Sequence, residues 1–139
     1  MQLLQSWTID KTLDAFFIPV RVQNPITQKT LSKWCLFDTG FTGYLGLDKL
    51  SLEELGLEQI GTGMAITIGG KVSFSTYSAI AEIMKDASTP LKQILLDGDE
   101  KEQTIPVQEL KIPMVGIKTI NKFDWLIVAE RKMLCMVEL

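Results

Sequence analysis

The sequence predicts an all-β fold closed into a barrel, with one or two short helices. Three observations lead there. Most apolar runs are short and alternate with polar residues; they are punctuated every few residues by Gly, Pro, Asn or Asp; and helical signals are confined to two brief segments. The 139 residues contain no linker, low-complexity tract or strong repeat, so a single domain over residues 1–139 is expected.

Ala15 to Gln23 places Phe16, Ile18, Val20 and Val22 on one side, a half-buried strand whose Pro19 suggests an edge position because proline donates no ladder hydrogen bond. Asn24-Pro25 opens a connection, and Leu31 to Phe37 returns as the second arm of a hairpin. Tyr44 to Leu47 reads as a short strand. Ser51-Leu52-Glu53-Glu54 has the spacing of a capping box and Gly56 is a natural stop, so Leu50 to Leu55 forms about two turns of helix at most.

Met64 to Phe74 is the clearest hairpin. A Gly69-Gly70 loop would mix its faces, whereas an odd loop, Ile68-Gly69-Gly70, sets Ile66 beside Val72 and Met64 beside Phe74, with Gly70 left-handed and Ile68 at an exposed tip. Beyond Phe74 the apolar phase shifts to Tyr77, Ala79, Ala81 and Ile83, which implies a bulge near Ser75-Thr76. Lys92 to Leu96 and Thr104 to Leu110 are further strands, the latter with Pro106 at its edge, separated by an acidic, solvated turn from Asp97 to Glu102. Ile112 to Gly116 is a second apolar strand that breaks at glycine, Ile117 to Lys122 a short helix, and Trp125 to Ala129 with Met133 to Val137 a terminal hairpin. That last hairpin fits either barrel closure or a sheet shared by a dimer.

Composition narrows the chemistry. Apolar residues make up 46% and charged residues 22%, the profile of a soluble globular chain, and a net charge of −3 with no basic stripe argues against nucleic acid. The sequence contains no histidine, which removes Ser-His and Cys-His nucleophilic sites and His-based metal sites. Cys35 and Cys135 lie in apolar runs and are read as packing residues in a reducing compartment. No signal peptide or run of membrane-spanning length is present, so a cytoplasmic location without membrane association is expected.

The chain is organised around Trp34-Cys35-Leu36-Phe37-Asp38-Thr39-Gly40-Phe41-Thr42-Gly43, where a buried strand runs into a carboxylate and turns sharply. A carboxylate near a core must find partners or change its pKa, so such an ending is unusual. Read alone, Asp38 is a turn-capping aspartate, Gly69-Gly70 an ordinary hairpin turn and Met114-Val115-Gly116 a strand end.

Taken together they resemble something more specific. Leu36-Phe37-Asp38-Thr39-Gly40 resembles the active-site signature of aspartic proteases, specifically the retropepsin-like branch in which two chains each bring one motif. A glycine-rich flap hairpin follows in that family, matched by Met64 to Phe74, and later a hydrophobic-hydrophobic-glycine signature with a short helix, matched by Met114-Val115-Gly116 and Ile117 to Lys122. Asp-Thr-Gly-Phe-Thr-Gly-Tyr-Leu also looks like a prokaryotic subgroup of small single-motif members. Phe41 stands where many members carry Ser or Ala, which leaves Thr42 to support the loop.

The resemblance implies a closed retropepsin-like barrel and a homodimeric aspartic endopeptidase acting on an extended peptide or protein. Asp38 would supply half of the catalytic dyad, Thr39 would bond across the dimer and Gly40 would donate to the carboxylate. Ile68, Gly69 and Gly70 would form the substrate-covering flap, and Val115 and Gly116 the second signature, with no metal or cofactor. The chemistry is self-consistent: two adjacent aspartates share one proton, because like charges about 3 Å apart cannot both ionise readily. One chain offers a single Asp-Thr-Gly, so the second carboxylate must come from another copy. The alternatives are a non-catalytic peptide-binding or oligomerisation module of the same fold, and a small β-barrel ligand carrier.

Overall fold

The computed structural model describes residues 1–67, 69–98 and 103–139. Its spine is β6, Gly70–Met84. In its first half β6 pairs with β5 (Gln59–Thr67) and, from the opposite edge at Thr76 and Tyr77, with β8 (Ile105–Glu109); in its second half it is flanked at Ala81–Ile83 by β2 (Phe17–Gln23) on one edge and β7 (Pro90–Ile94) on the other. β2 continues to β3 (Thr30–Phe37), and β4 (Leu45–Leu47) runs parallel to β8. Between β3 and β4 lies the two-residue β9, Met114–Val115, parallel to the first and antiparallel to the second. The order is therefore β2-β3-β9-β4-β8-β6-β5, and the β2–β6 pairing closes six of these strands into a ring.

The inside of the ring is the core. Ile18, Val20 and Val22 of β2, Cys35 of β3, Leu45 and Leu47 of β4, Val107 of β8, Val115 of β9 and Ala79, Ala81 and Ile83 of β6 are all fully buried in one cluster. Alternation along each strand puts these residues inside, as expected for an all-β fold. Burial pushes the Cys35 thiol far up, the Asp48 carboxylate adding to the effect against Lys33, so the sulfur stays protonated and serves as packing.

A second, three-stranded sheet is built from the termini in the order β1-β11-β10, with β1 at Gln2–Thr8, β10 at Asp124–Val128 and β11 at Met133–Glu138. A single 3-10 turn, Ala129–Arg131, joins β10 to β11. β1 was not expected as a strand. Its alternation is hidden by a register shift between Leu3 and Gln5, which puts two phases into one short segment. Trp125 ties this sheet to the ring: its indole donates to Ile120 O at 2.8 Å and its ring meets Phe37 edge-on at 4.9 Å.

The hairpin register differs from the expected one. Thr67 pairs with Gly70, Ile66 with Lys71, Ala65 with Val72 and Met64 with Ser73, so the connection is the two residues 68 and 69, and Ile68 itself lies outside the described residues. Gly70 does adopt a positive φ of 109°. Met64 and Ile66 therefore face one way and Val72 and Phe74 the other. The arm stands away from the core, Met64 and Ile66 being 64% and 59% exposed, so burial does not force its apolar residues onto one face and the turn sets the register. The expected bulge also moves across the ladder: β6 is continuous through Ser75-Thr76, and the irregularity sits opposite, between Gln59 and Gly61.

Neither proline marks an edge strand. β2 pairs with β3 and β6, and β8 with β4 and β6. Pro19 precedes Val20, where the β6 ladder begins, and Pro106 precedes Val107, where the β4 ladder begins, so each missing N–H falls where the strand is paired on one side only. The strand expected at Lys92 to Leu96 spans Pro90–Ile94, and the acidic turn reaches residues 99–102, outside those described. The helix expected at Ile117 to Lys122 is α2, Ile117–Ile120. Among the described residues no helix is long and apolar enough to cross a membrane.

α1, Lys49–Leu55, ends at Gly56 as expected, but its cap is Asp48 rather than Ser51. Asp48 accepts from the Ser51 amide at 3.2 Å and hydroxyl at 2.7 Å. Burial pushes this carboxyl up, but its hydrogen bonds, those from Ser51 foremost, together with the nearby Lys33 charge outweigh it and hold the group below the usual carboxylate range. A folded-state pKa below the unfolded value stabilises at neutral pH, and that stabilisation is lost as pH falls through the folded value. Asp48→Ala is expected to cost about 1 kcal/mol in urea unfolding at neutral pH, with the difference from wild type shrinking in acid.

A candidate catalytic site at the Asp38 loop

The position of β9 shapes the site. Because β9 occupies the space between β3 and β4, the chain from Asp38 to Tyr44 must arch over its end. The arch is clamped there: Asp38 N donates to Val115 O at 3.1 Å, Gly116 N to Tyr44 O at 3.1 Å, Ile117 N to Phe41 O at 2.8 Å and Lys118 N to Gly43 O at 3.2 Å. Thr119 adds a side-chain bond, its hydroxyl donating to Tyr44 O at 2.8 Å. A Cβ at Gly116 would lie 2.1 Å from Gly43 O, so this residue must be glycine for reasons of space alone.

Within the arch, Gly40 N donates to Asp38 Oδ1 at 2.8 Å, and Phe41 N to Asp38 O at 3.3 Å. One carboxylate oxygen is thereby held against its own turn, while Oδ2 has no protein hydrogen bond among the described residues. Asp38 is half-buried, whereas Thr39 and Gly40 are exposed. The result is a fixed carboxylate with one free oxygen at the rim of the sheet.

The expected support by Thr42 is not what holds the loop, since Thr42 is exposed and Phe41 is 4% exposed. The Phe41 ring fills the space over two glycines: a Cβ at Gly43 would meet its Cζ at 2.6 Å, and one at Gly116 its Cδ2 at 2.7 Å. Phe41 is thus the plug that the two glycines make room for. The spacing of Gly43 and Gly116 in sequence carries no sign of it.

Cross-strand pairing places further residues on the Asp38 side of the sheet. Leu36 pairs with Met114, Met114 with Gly46, Gly46 with Gln108 and Gln108 with Thr76, and paired residues share a face. Asp38 follows Leu36 by two residues and so continues this face, opposite to the core-facing Phe37, Val115, Leu45 and Val107. Leu110 folds over Gly46, where a Cβ would be 2.1 Å from its Cδ1. Gln108, 8% exposed, lies against Gly43, and its Oε1 has no hydrogen-bond partner among the described residues. Nothing in the sequence singled out Gln108 or Leu110.

Of the expected site residues, the structure brings Asp38, Thr39 and Gly40 together with Val115 and Gly116. Gly69 and Gly70 stand at the tip of the β5–β6 arm, with β9, β4 and β8 between β3 and β6 in strand order. No protein-family model matches the chain, and no curated protein matches it significantly in sequence.

The clamp makes a direct test. Gly116→Ala is expected to lower unfolding free energy by roughly 3 kcal/mol in urea titration, because the new methyl collides with backbone that is itself hydrogen-bonded. Gly61→Ala, whose Cβ would meet nothing within 4 Å, should stay within about 0.5 kcal/mol of wild type.

Proposed function

We propose that the protein is a homodimeric aspartic endopeptidase of the retropepsin-like type, with Asp38 from each of two copies forming the catalytic dyad. The observation that carries the reading is the Asp38 carboxylate itself: fixed by Gly40 N at 2.8 Å, free at its second oxygen, and carried by a loop clamped against Val115-Gly116. Preorganised groups of this kind favour catalysis because no energy is lost in ordering them at the moment of reaction. The ring of strands and the projecting β5–β6 arm are compatible with a closed acid-protease barrel and its flap.

In the proposed mechanism two copies meet across a twofold axis that sets the Asp38 carboxylates side by side. One ionised carboxylate takes a proton from a water molecule as it attacks the peptide carbonyl. The other carboxyl, protonated, supports the carbonyl oxygen, and a proton passes to the departing amine. The two pKa values belong to the pair, so activity should peak at mildly acidic pH, where the dyad holds one proton. Thr39, exposed at the rim, would bond to the partner's loop, and the arm would close over an extended peptide that pairs with it as an added strand.

Cleavage of a mixed peptide library should therefore be abolished by Asp38→Asn while the dimer stays folded. Retained activity in that variant would overturn the assignment. Specific activity of the wild type should also fall on dilution as the dimer dissociates. A rate per chain that is independent of concentration, in a protein that sediments as a monomer, would rule out a shared dyad.

A further inference from the structure

A cleft of about 600 Å³ opens between the β5–β6 arm and the end of β8. Val72, Phe74 and Leu110 give it an apolar lining, and Ser73 and Ser75 add hydroxyls. Two lysines stand on its wall: Lys49, the first residue of α1, and Lys111, just beyond β8. Both are exposed, and neither has an ion-pair partner among the described residues. Glu109 shares the lining without pairing to either, so these side chains together carry one net positive charge.

We infer that this cleft receives an acidic side chain of an extended peptide, an inference that rests on the reading of the protein as a peptide-cleaving enzyme. An unpaired lysine beside apolar surface can cover the stem of a guest side chain with its own methylenes while its ammonium bonds the carboxylate. The cleft also lies on the appropriate side of the sheet. Phe74 shares a face with Thr76 and, through Gln108, Gly46 and Met114, with Leu36 and Asp38. Three to four strand spacings of roughly 4.8 Å separate β3 from the cleft. A peptide rising about 3.3 Å per residue therefore places the recognised acid about four to six residues from the scissile bond.

The test uses the Asp38→Asn protein, so that cleavage does not obscure binding, and two degenerate dodecapeptide pools that differ only in one fixed position, Glu or Gln. Isothermal titration at low salt should show the Glu pool binding about three- to tenfold more tightly, the range that two exposed charge pairs supply. The preference should weaken at high salt and disappear in the Lys49→Gln/Lys111→Gln double variant, with affinity for the Gln pool retained. Equal affinity for the two pools, a preference that survives in the double variant, or no binding of either pool would overturn the inference. Cleavage of the same pools by the wild type separates the two readings. Cleavage without acidic preference removes the pocket and leaves the protease, whereas a lysine-dependent binding preference with no cleavage removes the protease and leaves the pocket.

Discussion

The close approach of Gly116 to the carbonyl of Gly43 is the constraint on which the rest of the site depends. A strand of only two residues, β9, is held between β3 and β4, and it can stay there only if the chain passing over its end comes within backbone contact. The four backbone bonds between the arch and residues Val115 to Lys118 then follow, and with them the direction in which β3 delivers Asp38. Phe41 completes the lock from the side, its ring occupying the volume that two absent side chains leave open. A loop that carries a carboxylate at the edge of a core is thus given the rigidity of a strand pair.

The same lock is tied to the periphery by two anchors. Tyr44, at the far foot of the arch, is 3% exposed; its hydroxyl accepts from Asp97 N at 2.9 Å, and Lys122 bonds the Asp97 carboxylate at 2.7 Å. On the other side Trp125 packs against Phe37, the residue before Asp38, and so joins the terminal sheet to the strand that presents the site. The termini therefore do more than close the fold: β1, β11 and β10 form a layer that buttresses β3.

The legibility of these features follows from the range of the forces behind them. Inward-facing positions on β2, β6 and β8 were readable because burial on one face imposes period two on the sequence. The arm was not readable to the residue, because an exposed hairpin takes its register from turn geometry, and shifting it by one residue costs little burial. β1 was invisible because its bulge breaks the alternation on which the reading depends. The prolines misled for a related reason: a strand can be interior over most of its length and still be unpaired on one side at a single residue.

The sequence by itself determined the all-β class, the short helices, the end of α1 at Gly56 and the prominence of Asp38-Thr-Gly, since each depends on local periodicity or on residue types with one strong conformational preference. Only the tertiary structure decided that Val115-Gly116 lies directly behind Asp38, that Phe41 rather than Thr42 supports the loop, and that Gln108, Leu110 and Phe74 share its side of the sheet. These relations join residues 30 to 80 positions apart through ladder register and steric fit, and no local pattern in the chain encodes them.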